Sequence, residues 1–147
     1  MSDRQITAMP AGFTPPVPFD ACFDAVYGLE VVGADVAGEG SVSGHVEAGE
    51  HLLAAHGAVQ GGVFAAAAEA LASRGTALTV IPEGFAAMGQ GNDTTLLEPV
   101  TSGVIRFEAQ VRSRGEDAWL WTVEARDEAG TLVAFSRVTV AVRPLRA

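Results

Sequence analysis

Hydrophobic and polar positions alternate most regularly in AWLWTVEAR (118–126). Trp119, Trp121, Val123 and Ala125 point one way, and Leu120, Thr122, Glu124 and Arg126 the other. A period of two predicts a strand with one buried face. Three more stretches after residue 84 read as strands: FAAMGQGNDTTLLEP, GVIRFEAQVRSRG and TLVAFSRVTVAVRP. DEAG (127–130), with its glycine last, predicts a hairpin turn between the last two. Upstream, the valine-rich LEVVGADVAGEGSVSGHVEA is broken by GEG, which predicts two strands joined by a tight turn at 38–40. FDACFDAVYG carries apolar residues at helical spacing (Phe19, Cys22, Phe23, Val26) and a glycine stop at Gly28, so a short helix is expected there. Four of the seven prolines fall in residues 1–18. That density predicts an irregular arm over 1–18, followed by one domain over 19–147.

Between the two groups of strands, GGVFAAAAEALASRGTALTV (61–80) predicts one long helix, since alanine is the strongest helix former. From 61 to 73 nearly every residue is small or apolar, and the one ionisable group is Glu69. A helix apolar almost all round is expected to be enclosed by other structure, which makes Glu69 a candidate buried carboxylate. The order strand, strand, helix, four strands predicts an α+β domain, an antiparallel sheet wrapped around a central helix.

Composition narrows the function. The chain has 147 residues, 48% hydrophobic and 18% charged, enough for one well-packed domain. Its start shows no basic segment followed by an apolar core, so no secretory signal is expected. A single cysteine, Cys22, allows no internal disulfide, and cytoplasmic residence is the default. The net charge of -9 argues against nucleic acid, and no membrane span is expected. All nine basic residues are arginines, so lysine Schiff-base chemistry is excluded. His45, His51 and His56 are spaced by six and five, which sets them on neither one helix face nor one strand face. No metal site is expected.

Geometry gives Glu69 a further constraint. The amides at a helix start carry partial positive charge suited to an oxyanion, and glycines at 61 and 62 let a substrate approach closely. Glu69 lies eight residues past Gly61, about 12 Å along the axis. That is too far for both to act on one carbonyl carbon within one chain. Two helices from two subunits, side by side in opposite senses, would bring them together. The plainer alternative is a surface carboxylate paired with an arginine such as Arg74.

GGVFAAAAEALAS, MGQGNDTTLLEPV and VEARDEAGTLVAFSRVTVAVRP together resemble the hotdog fold, and most of all the 4-hydroxybenzoyl-CoA thioesterases (PaaI-like) that use a glutamate on the central helix. The resemblance covers roughly residues 25–147. It implies a homodimer with a continuous ten-stranded sheet, commonly paired again into a homotetramer. The implied activity is hydrolysis of an acyl-CoA thioester, aromatic acyl groups included, without a cofactor. It implies Glu69 as nucleophile or general base, the Gly61 amide as oxyanion donor, and Gly62 as the point of close substrate approach. Ser73 stands where the family has threonine, one turn past Glu69. Gln60 takes the place of a family histidine, and His56 is a candidate to restore that polar group. Asn92, Asp93, Arg143 and Arg146 are the candidate substrate contacts. Against the family pattern, Glu98 replaces a phosphate-binding arginine, and Glu116 and Asp117 replace hydroxyl residues that touch the nucleotide. Acids there disfavour a polyphosphate. They keep open a non-catalytic hotdog protein that binds an acyl or aromatic ligand. A hydratase is disfavoured by Gln60.

Overall fold

The computed structural model describes residues 12–146, so the first eleven residues of the expected arm lie outside the described residues. The elements are α1 (Phe23–Tyr27), β1 (Glu30–Asp35), β2 (Ser41–Glu47), a 3₁₀ turn (Glu50–Leu52), α2 (Gly61–Val80), β3 (Phe85–Leu96), β4 (Val104–Arg114), β5 (Ala118–Arg126) and β6 (Leu132–Pro144). One six-stranded sheet runs in the order β1-β2-β4-β5-β6-β3, and every neighbouring pair is antiparallel. Two such sheets joined edge to edge would hold more than the ten strands implied by the family resemblance.

The alternation in β5 does what its period predicts. Trp119, Trp121, Val123 and Ala125 are buried, and the residues between them are half-buried. The indole of Trp121 is the floor on which α2 rests. A side-chain carbon added at Gly75 would meet it at 2.5 Å, so glycine is required for that approach. Polar atoms buried at this contact are all used: Trp121 Nε1 donates to Thr76 Oγ1 (3.0 Å), and Thr76 Oγ1 donates to the Ala72 carbonyl (2.9 Å). Unpaired, each would cost about 1–3 kcal/mol. Trp119 stacks on Trp121 with ring centroids 6.3 Å apart, so the tryptophans are packing residues.

Two expectations need correction. The short helix is only five residues long, and its apolar spacing does not face the core. Phe23 and Val26 are exposed, while Tyr27 is buried. What docks α1 is polar. Asp24 accepts from the Tyr27 hydroxyl (2.6 Å) and from Arg74 of α2 (2.8 Å), and the Arg74 guanidinium lies 4.5 Å from the Phe19 ring centroid. Burial, and then the bond to Asp24, push the Tyr27 hydroxyl far above the ordinary phenol range.

The second concerns α2, which is not enclosed all round. Its sheet-facing residues Phe64, Ala67, Ala68, Leu71, Ala72 and Gly75 are buried, yet Gly62 and Glu69 are exposed and Val63, Ala66, Ala70 and Ser73 half-buried. One chain supplies one sheet, and one sheet covers one face. β3 borders the open face. It pairs with β6 alone, so its other edge, twelve residues long, has no strand beside it among the described residues.

Candidate active site

α2 starts abruptly after an extended Gln60. The Gln60 side-chain oxygen accepts from the Gly62 N–H, a cap of the kind that satisfies orphan amides at a helix start. This holds the Gln60 amide by its oxygen, and among the described residues its NH₂ has no acceptor. Among the described residues no acceptor takes the Gly61 N–H. Leu96, the last residue of β3, packs against Gly61, where an added side-chain carbon would lie 2.9 Å from Leu96 Cδ1. Beside this start lies a hollow of about 230 Å³ lined by Val59, Phe64, Leu96, Leu97, Pro99 and Val100, with His56 and Glu98 among its walls. His56 is exposed in the turn that leads to the helix.

Glu69 is exposed in the single chain, which corrects the expectation of a buried carboxylate. It is not the partner of Arg74 either, because Asp24 holds that guanidinium. Among the described residues Glu69 makes no ion pair and no hydrogen bond through its side chain. Instead the side chain lies against the backbone of β3 at Gly89. A carbon added there would stand 2.1 Å from Glu69 Oε1 and 2.5 Å from Cδ. One turn further along, Ser73 Oγ is enclosed and has no hydrogen-bond partner among the described residues.

Asn92 faces the helix. Its Nδ2 donates to the Ala65 carbonyl (2.9 Å), and its Oδ1 accepts from Thr94 Oγ1 (2.8 Å), which lies 2.7 Å from Ser136 Oγ. Asp93, the next residue, is therefore on the other face of the strand, in register with Arg137 of β6. The sequence placed Asn92 and Asp93 together as substrate contacts; within one chain the pleat separates them. Gly89, Thr94 and Ser136 were missed. No spacing signal marks them, since their relation to Glu69 depends on β3 pairing with β6 beneath the helix.

The arginines lie elsewhere. Arg143 Nη1 donates to the carbonyls of Asp117 (2.7 Å) and Val142 (2.8 Å), tying the β4–β5 turn to β6. With Glu83, Arg114, Glu116, Asp117 and Trp119 it lines a hollow of about 560 Å³ at the far end of α2. Arg146 lines a neighbouring hollow with Ala86, Met88 and Leu145. Glu98 is at the start of α2, whereas Glu116 and Asp117 are at its end, a helix length of about 30 Å away. Within one chain the three acids do not gather. Arg112 bonds Thr122 on the outer face of the sheet and is remote from all of this. No group of three His, Cys, Asp or Glu residues among the described residues is placed to hold a metal.

This architecture is the hotdog fold of known thioesterases. A structure of thioesterase HI1161 from Haemophilus influenzae superposes with a TM-score of 0.76 at 27% identity, over 84% of this chain and 84% of that one. The protein Rv1847/MT1895 from Mycobacterium tuberculosis, named "putative esterase", superposes with a TM-score of 0.78 at 27% identity, over 85% of this chain and 98% of that one. In sequence, a Deinococcus radiodurans protein of the same name is 34% identical over 83 residues, 56% of this chain. The chain spans about half the length of that relative, 52%. No family model matches the chain. Among the described residues no helix is long and apolar enough to cross a membrane.

Proposed function

We propose that the protein is a thioesterase-type hydrolase that cleaves an acyl-CoA thioester in a site shared by two copies of the chain. The observation that carries this reading is the open face of α2. Among the described residues the Gly61 N–H and the Glu69 carboxylate have no partner, and they lie on the same helix, beside an edge of β3 that pairs with no strand. Pairing β3 with β3 of a second copy would set the two helices antiparallel. Glu69 of one copy would then face the helix start of the other, which removes the separation of about 12 Å. Exposed Met88, Leu96 and Leu97 on or beside that strand favour the same contact.

The chemistry follows from the groups present. The thioester carbonyl oxygen takes a hydrogen bond from the Gly61 N–H and another from the outward Gln60 amide, which stabilise the negative charge that develops there. The Glu69 carboxylate attacks the carbonyl carbon and expels CoA thiolate, leaving a mixed anhydride that water then hydrolyses. Alternatively it takes a proton from water, which attacks directly. Ser73, one turn past Glu69, would hold that water by rotating its hydroxyl, which is enclosed and unbonded in the single chain. The acyl group occupies the apolar hollow at the helix start. Arg146 and the outer side of Arg143 receive the phosphates. Assembly of dimers into a tetramer and residence in the cytoplasm belong to the same reading.

A non-catalytic acyl-binding protein is the second reading. It is favoured by the acids Glu116 and Asp117 around Arg143, whose guanidinium is already engaged by backbone carbonyls. The test is thiol release from acyl-CoAs of two to sixteen carbons and from aromatic acyl-CoAs, with wild type and Glu69→Gln. Turnover that the substitution lowers by about 10³-fold or more supports catalysis. Turnover on none of them moves the assignment to the binding protein. Sedimentation should show at least a dimer, and an active monomer would contradict the shared site.

A further inference from the structure

We infer that β3 positions the Glu69 carboxylate through two residues, Gly89 as its seat and Asn92 as its tie. The inference rests on the proposed role of Glu69. It gives Asn92 a positioning role beside the substrate contact expected of it.

Three observations converge. The three atoms nearest a side-chain carbon at Gly89 all belong to Glu69, at 2.1, 2.5 and 2.7 Å. Any residue but glycine there must push the carboxylate out of its place against the strand. The tie falls on the same turn of helix. Asn92 Nδ2 donates to the Ala65 carbonyl, the group that an α-helix assigns to the N–H four residues on, that of Glu69. A second donor on that carbonyl binds the turn that carries the carboxylate to β3.

The third observation is the direction of the hydrogen-bond chain. Thr94 Oγ1 gives its proton to Asn92 Oδ1, so the Ser136 hydroxyl, 2.7 Å away, must give its own to Thr94. The chain runs from buried Ser136 through Thr94 to Asn92 and ends on α2. The Ala65 carbonyl, which can only accept, sets which end of the Asn92 amide points at the helix, and the direction of the hydroxyl chain follows from it. Each end of the Asn92 amide makes one bond here and keeps a second N–H and a second lone pair. The bulge at Gln90, where the register with β6 shifts between Gly89 and Gly91, puts Gly89 and Asn92 on the same side of the strand despite their odd spacing. Without that extra residue one of the two would face away from Glu69.

Asn92→Asp is the discriminating variant, because it keeps the size and the acceptor for Thr94 but cannot donate to Ala65. Gly89→Ala removes the seat, and Thr94→Val the support behind Asn92. Against the best substrate of the panel, Asn92→Asp and Gly89→Ala are expected to lower kcat by about 10- to 100-fold with KM within about twofold, the signature of a displaced reacting group. Asn92→Asp should leave the dimer and the thermal midpoint near wild type, and Asn92→Ser, which can still donate, should recover part of the loss. Wild-type kcat in both Asn92→Asp and Gly89→Ala, in a protein that Glu69→Gln inactivates, overturns the inference and leaves the catalytic reading standing. Full activity in Glu69→Gln overturns the reading itself. Should the wild type hydrolyse nothing, a crystal structure of Asn92→Asp decides: Glu69 displaced from Gly89 supports the tie, and Glu69 unmoved overturns it.

Discussion

The two halves of α2 are both rich in small and apolar residues and are opposite in situation. In the second half Leu71, Ala72, Gly75, Thr76, Ala77 and Val80 are buried, and the one polar side chain among them is bonded on both sides. The first half buries Phe64, Ala67 and Ala68 and leaves Gly62 and Glu69 in the open. Small residues let a helix approach closely whatever covers it, so hydropathy alone does not separate a face closed by its own sheet from one awaiting a second chain. The second half is a packing device, and the first half is a surface with chemistry on it.

The largest effect should come from breaking the packed half. Trp121→Ala removes the floor under Gly75 and leaves Thr76 without its donor. Loss of about 3–5 kcal/mol in denaturant unfolding is expected, with activity lost only as the fold is lost. Glu69→Gln on the open half should do the reverse, changing stability by no more than about 0.5 kcal/mol while turnover collapses. A Glu69→Gln protein as destabilised as Trp121→Ala would show that the two halves do not differ as described.

A smaller effect is expected where α1 meets the second half. Asp24→Ala strips Tyr27 and Arg74 of a shared acceptor, and about 1–3 kcal/mol should be lost in the same unfolding measurement. The comparison is sharpened by Arg74→Ala, which should be coupled to Asp24→Ala in a double-mutant cycle and uncoupled from Glu69→Gln. Coupling between Arg74 and Glu69 would restore the ion pair that the structure denies.

Most of the fold was legible because it rests on local period. The alternation of β5, the turn at 127–130 and the helix over 61–80 each depend on residues a few positions apart, and each stands where the pattern put it. The short helix over-read Phe23 and Val26, since apolar spacing does not say which face docks, and Asp24 with Arg74 settled that. At the candidate site, Glu69 stood out as the one charge in an apolar run. What holds it was invisible. Gly89 and Asn92 reach it through the pairing of β3 with β6 and through a bulge at Gln90, and neither is written in any local spacing. The separation of Asp93 from Asn92 follows from the pleat, yet only after the facing of β3 is known.

The smallest prediction concerns the outer face of the sheet, remote from both halves of the helix. Glu108 on β4 stands opposite Ser43 and Glu124 in the ladders, with Arg106 two residues back on its own strand. Partial burial, and then the charge of Glu39, raise its carboxyl above the ordinary value. The folded chain therefore holds this proton more tightly than the unfolded chain does. The stabilisation is fully present below the unfolded carboxyl value and is lost as pH rises through the folded one. At neutral pH the charged form is a small liability, and Glu108→Gln should stabilise the protein by a few tenths of a kcal/mol, about 1 °C in thermal midpoint. At pH 4 the gain should shrink toward zero. Melts of both proteins at pH 4 and pH 7 measure this difference, and a gain that is larger at pH 4 would mean that Arg106 and not Glu39 governs the carboxylate.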